Sequence, residues 1–148
     1  MIETASGLLI TGSKAAAIPN DGSVKEIGAY AFAEHKELKE IEIPDGVTTI
    51  GQCAFYGCSL KEFKVPESVT YLGDSAFYNN KFTTVIIPEH ITRFGSAFKG
   101  CRELTKLVIP EGITKITDNA LTGCHGLKVL VIPKTVTQVG GSVLYETY

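Results

Sequence analysis

The chain has 148 residues, of which 44% are hydrophobic and 20% charged, and 14 basic side chains nearly cancel 16 acidic ones for a formal charge of -2. That length suits one domain able to bury roughly 68–70% of its unfolded surface, and the composition excludes a disordered tail and argues against nucleic-acid binding through bulk charge. Four cysteines, none in a Cys-x-x-Cys clamp, are too few for a disulfide scaffold, and no apolar run approaches the ~20 residues that span a bilayer.

Residues 1–18 include Leu8-Leu9-Ile10 and Ala15-Ala16-Ala17-Ile18 and are expected to fold over the first repeat unit as an N-terminal cap. The opening MIETASGLLITGS lacks the basic and long apolar regions of a secretory signal, so either the protein is intracellular or a leader is missing. From residue 19 to residue 148 the chain repeats. Its six prolines stand at Pro19, Pro44, Pro66, Pro88, Pro110 and Pro133, at intervals of 25, 22, 22, 22 and 23 residues. A fixed period of this size marks a repeat architecture, here five full units and a truncated sixth.

Each unit carries three apolar pieces. The first is a short alternating run such as Val47-Thr48-Thr49-Ile50, ending at Gly51, Gly73, Gly95 or Gly140 in four units; it suits a short extended segment. The second is Ala-Phe, at Ala31-Phe32, Ala54-Phe55, Ala76-Phe77 and Ala97-Phe98, relaxing to Ala120-Leu121 and Val143-Leu144. A small residue beside a large one predicts a single helical or 3-10 turn plugging the core. The third is Leu-x-x-Ile-x-Ile before proline, as in Leu38, Ile41, Ile43 or Leu104, Leu107, Ile109; its alternation demands a strand with one buried face, which proline then stops.

A unit of 22 or 23 residues cannot hide this much apolar surface alone and must stack on its neighbours. Like strands stacked in register make a parallel sheet, with coils ~4.8 Å apart. The unit Pro-x-x-Val-Thr-x-Ile-Gly-x-x-Ala-Phe-x-x-Cys-x-x-Leu-x-x-Ile-x-Ile resembles the BspA-like class of leucine-rich repeat over about residues 18 to 144. Departures are His35 and Asn80 in place of the cysteine, Thr117 in place of the glycine, and one residue fewer between Gly95 and Ala97. The resemblance implies an α/β repeat fold: a leucine-rich-repeat solenoid with a stacked parallel β-sheet, a second short-strand face and one helical or 3-10 turn per coil. It also implies a domain common in surface and secreted proteins of host-associated bacteria and some parasitic protists, some of them adhesins for host matrix proteins.

Chemistry-bearing residues read mostly as architecture. Cys58, Cys101 and Cys124 share one repeat position and are expected to form a buried structural ladder of free thiols, because parallel side chains on adjacent coils give poor disulfide geometry. Cys53 stands outside it and is expected to be partly exposed, without the neighbouring base or cation that activates a thiol. His35, His90 and His125 occupy three different repeat positions, and no serine elbow or phosphate-binding glycine loop occurs. No residue set therefore reads as catalytic, cofactor-binding or metal-binding. Thr48, Thr70, Thr92, Thr114 and Thr137 form a column expected to exchange hydroxyl hydrogen bonds between coils. Asp45, Glu67, Glu89 and Glu111 form an acidic column expected to splay into water, with a bridging cation or a basic partner as alternatives.

The outward positions are the most informative. Two residues before each proline stand Glu42, Lys64, Ile86, Val108 and Val131, a surface that turns from charged to apolar along the rod. Contiguous exposed apolar side chains mark an interface, although Ile and Val also suit a half-shielded sheet. Ile86, Val108, Val129 and Val131 are the expected anchors of a protein-binding face, with Lys64, Lys106 and Lys128 as its polar rim. Tyr71, Arg93 and Lys115 offer a second, more polar face. The expected function is non-enzymatic protein recognition at a cell surface or after secretion, without nucleic acid, membrane insertion or cofactor. The alternative is a structural role in which the apolar strip or an uncapped C-terminal end, ending in SVLYETY, joins copies into dimers or rods.

Overall fold

A computed structural model describes residues 18–147 and, as backbone alone, the strands β1 (Ile2–Glu3) and β2 (Leu9–Ile10). These two pair antiparallel, and β1 lies beside β3 (Glu26–Ile27). The rest of the expected cap, apart from Ile18, lies outside the described residues, as does Tyr148.

From Val24 onward the chain winds into a parallel solenoid of about five coils, and each coil is built by the same local rules. Proline opens a tight turn: the carbonyls of Pro44, Pro66, Pro88, Pro110 and Pro133 accept hydrogen bonds from the amides of Val47, Val69, Ile91, Ile113 and Val136. A short strand follows. β3, β4 (Thr49–Ile50) and β5 (Tyr71–Leu72) pair in parallel with Glu26, Thr49 and Tyr71 in register, and a bridge from Tyr71 to Arg93 extends the row. Later on the same side, β8 (Lys115–Ile116) pairs with β10 (Gln138–Val139). The long strands form the opposite side: β6 (Thr84–Ile86), β7 (Lys106–Val108) and β9 (Val129–Val131), again parallel and in register.

The glycine after the short strand is required by close approach. A Cβ built on Gly73 would stand 2.5 Å from the amide nitrogen of Gln52, and one on Gly51 2.8 Å from that of Ala29, distances a side chain cannot occupy. Thr117 replaces this glycine in the fifth coil, and there the short-strand row breaks: β8 pairs with β10 and not with the preceding coil.

The Ala-Phe segment departs from the expected helical or 3-10 turn; the described residues contain no helix, so the α component of the α/β expectation is corrected to an all-β solenoid joined by turns. The cause is alternating backbone handedness. Tyr30, Cys53, Ser75, Asn119 and Ser142, each directly before the small residue, have φ between 53 and 59°. A second left-handed residue follows four positions on, for instance Glu34, Gly57 and Asn79. Each left-handed residue flips a peptide plane, so amides bond alternately within the turn and across to the next coil. Tyr30, Phe32 and Glu34 donate to Gln52, Ala54 and Tyr56, while Ala31 and Ala33 donate to Gly28 and Tyr30. A helix would send every amide along one axis and leave the coils unlinked here.

Inside, equivalent side chains stack. Phe32, Phe55, Phe77 and Phe98 form a column with ring centroids 5.1, 5.2 and 5.8 Å apart and planes within 10° of parallel, close to the ~4.8 Å coil spacing expected of parallel strands. Val85, Leu107, Ile91, Ile116 and Leu121 are fully buried around it.

Candidate functional site

Pairing in register brings Ile86, Val108 and Val131 side by side, with Thr84, Lys106 and Val129 as the next outward row. Ile86 is 62% exposed, Val129 46% and Val131 44%, and Val108, between two aliphatic neighbours, is half-buried. Alternation along a strand sends Val85 and Leu107 inward and these residues outward. The result is an exposed apolar strip crossing three coils. Lys64, Lys106 and Lys128 are exposed around it, and Lys64 forms an ion pair with Glu62 at 2.5 Å that lowers the Glu62 carboxyl and raises the Lys64 ammonium from their ordinary ranges.

Tyr71, Arg93 and Lys115 are exposed on the opposite, short-strand side. Tyr71 and Arg93 adjoin, the guanidinium lying 5.7 Å from the tyrosine ring centroid. Lys115 belongs to the separate two-stranded sheet beyond the break at Thr117. The two candidate faces therefore point away from each other.

The cysteine ladder is structural and its chemistry is specific. The thiols of Cys58, Cys101 and Cys124 donate to the carbonyls of Phe32, Phe77 and Phe98, each on the preceding coil, at 3.1, 3.3 and 3.3 Å. Asn80 fills the same place: its amide nitrogen donates to Phe55 and Phe77 carbonyls at 2.8 and 2.9 Å, and its oxygen accepts from the Leu60 amide at 3.0 Å. Burial pushes Cys58 and Cys124 up to about 11, and Cys101, with Cys124 beside it, further still. These are protonated packing groups, the reverse of an activated thiol. Cys53, expected to be partly exposed, is buried, and hydrogen bonding to its thiol is the main cause that holds the Tyr30 hydroxyl above its ordinary range.

The threonine column also differs in detail from expectation. Thr48 and Thr92 donate to the carbonyls of Lys25 and Thr70 on the preceding coil, both at 3.2 Å, so the hydroxyls bond to backbone and not to one another. The acidic column is exposed. Among the described residues no group of three His, Cys, Asp or Glu side chains converges as a metal-ion cage, and no helix is long and apolar enough to cross a membrane.

Of two further features, the first agrees with the uncapped C-terminal end expected from the sequence and the second escaped that reading. The inward columns surface on the last coil, where Val139 is 62% exposed and Ile132 and Leu144 are also exposed. On the first two coils the long-strand side is open: residues 37–43, 61, 62 and 64–66 line a cavity of about 1110 Å³. The charged outward positions Glu42 and Lys64 were its one sequence signal.

The sequence profile described as "BspA type Leucine rich repeat region" matches residues 25–148 in six copies. A leucine-rich repeat protein from Bacteroides ovatus superposes with a TM-score of 0.74 at 27% identity, over 88% of this chain and 40% of its own. The T. pallidum leucine-rich repeat protein superposes with 0.78 at 27% identity, over 92% of this chain and 78% of its own. One from Eubacterium ventriosum gives 0.61 at 26% identity, over 86% and 42%. The chain thus spans well under half of two of these three relatives. No curated protein matches it significantly.

Proposed function

Because the chain belongs to the BspA-type leucine-rich repeat family, a repeat scaffold for protein interaction, we propose that it is a non-enzymatic recognition module whose binding face is the strip of Ile86, Val108, Val129 and Val131. The observation that carries this reading is the in-register row of Ile86, Val108 and Val131 on the outward side of a sheet, where water-facing positions are ordinarily polar. Stacked coils are rigid, so little of the module has to be ordered on association. Lys64, Lys106 and Lys128 form the rim that sets orientation, and Tyr71, Arg93 and Lys115 a second polar face. The partner is a host matrix or surface protein and the setting a cell surface or secreted protein, a reading that rests on the family resemblance of the repeat unit. The test is solid-phase binding to purified matrix and plasma proteins, with Ile86→Lys/Val131→Lys alongside. Saturable binding by the parent and its loss in a variant of unchanged thermal midpoint supports the reading; absence of binding across the panel removes the adhesin assignment.

A second reading, self-association, is favoured by the exposed Ile132, Val139 and Leu144 of the last coil. Sedimentation at rising concentration tests it, and a monomer at high micromolar protein counts against it.

The domain reading is likewise ours: residues 1–18 as the cap and 19–148 as the solenoid.

A further inference from the structure

The long-strand side is not one continuous surface. Coils three to five are zipped there: Thr105 and Lys128 donate to Thr83 and Thr105, and Ile87 and Ile109 to Val108 and Val131. Coils one and two begin the same way, with Ser59 donating to Leu38 and Lys61 to Lys39, and then separate. Beyond that point the backbones of 40–43 and 62–65 make no hydrogen bond to each other or to coil three.

The side chains record the same opening. Ile41, Phe63 and Val65 stand in columns whose later members Val85, Leu107 and Ile87 are buried, yet all three remain partly exposed. Coil two is flanked on both sides, so its exposure is not that of a rod end.

The repeat equivalence that pairs Thr84 with Lys106 sets Glu40 opposite Glu62, and Glu42 opposite Lys64. Like charges facing across strands oppose pairing, and Glu and Lys are poor strand formers. Lys64 is engaged by Glu62, which leaves Glu40 and Glu42, both exposed, without an ion-pair partner among the described residues. Lys39 and Lys61, exposed on the same lining, also lack one, so against Glu37, Glu40 and Glu42 the unmatched charge of the cleft is negative by one.

We propose that the cleft between the first two coils is a docking slot for an extended basic peptide segment, which completes the interrupted sheet as an added strand. Unpaired backbone edges are recognised by another extended backbone, Ile41 and Val65 of the cavity lining offer an apolar floor to its inward side chains, and Glu40 and Glu42 meet a Lys or Arg at its outward positions. This slot is distinct from the strip of Ile86 and Val131 and stands whether or not that strip binds a protein.

The test uses the full chain, isotope-labelled, and three probes: the capped peptide Lys-Val-Thr-Val-Lys-Val-Thr, its counterpart with Glu for Lys, and its backbone N-methylated form. Amides of 40–43 and 62–65 exchange rapidly in the free protein; the basic peptide shifts their resonances and slows their exchange about tenfold, and the acidic and N-methylated peptides bind about tenfold more weakly. Glu40→Lys/Glu42→Lys transfers preference to the acidic peptide. Protection of these amides in the free protein equal to that of 84–86 overturns the proposal, as do equal binding by the N-methylated peptide, shifts confined to Ile86 and Val131, or no shift with any probe.

Discussion

The first two coils and the last three obey one repeat yet differ on their long-strand side. Lys39-Glu40-Ile41-Glu42-Ile43 and Lys61-Glu62-Phe63-Lys64-Val65 stay apart, whereas Thr83-Thr84-Val85-Ile86-Ile87 and its successors zip into a parallel sheet. The inward positions are apolar in both regions, so hydrophobic burial does not separate them. The outward residues do: charged rows in one, rows of Thr, Val and Ile interrupted only by Lys106 and Lys128 in the other. The short-strand side shows the same sensitivity at another place, where Thr117 occupies a glycine position and pairing fails. In a solenoid, inward side chains decide that coils stack, and outward and glycine positions decide whether neighbouring backbones close.

Four substitutions or titrations sharpen or break that contrast. The largest effect belongs to the shared core: Phe77→Ala removes a buried ring stacked between Phe55 and Phe98 and should cost about 4 kcal/mol, and Phe63→Ala, in the open region, about half as much. Denaturant unfolding measures both, and equal losses would break the distinction. Next is Asn80, which holds the Leu60 amide just ahead of the opening. Asn80→Ala strands buried polar groups and should cost about 2–3 kcal/mol; Asn80→Cys, which keeps the donor used by Cys101 and Cys124, should cost less. Glu42→Val/Lys64→Val should close the first coils, gaining about 1 kcal/mol and strand content by circular dichroism; unchanged exchange of 40–43 would show that another cause holds them apart.

The smallest effect is alkaline and common to both regions. A thiol raised on folding stabilises the native state fully below its unfolded pKa, near 9.0, and loses that stabilisation as pH rises to the folded value of about 11 for Cys58 and Cys124. Stability should therefore fall between pH 9 and 11, and Cys58→Ala/Cys124→Ala should flatten the profile. A thiol reagent at neutral pH should leave the native protein unlabelled and react with all four cysteines once it is unfolded.

Much of this was legible in the residues. Six evenly spaced prolines, the Ala-Phe columns and Leu-x-x-Ile-x-Ile foretold coil length, stacking and which side chains fill the core, and the outward strip of Ile86, Val129 and Val131 is exposed where alternation placed it. Less was legible where one backbone meets another. Tyr30, Cys53 and Ser75 are ordinary residues in a left-handed conformation, which local propensity does not favour and inter-coil hydrogen bonding holds in place. That is why a helical turn was expected and an alternating one found.

By itself the sequence determined the repeat, its stacking and its in-facing columns, because proline turns and apolar alternation act within one unit. Only the tertiary structure decided where adjacent coils zip and where they gape, since each inter-coil bond depends on two outward rows, 22 or 23 residues apart, meeting across the same gap.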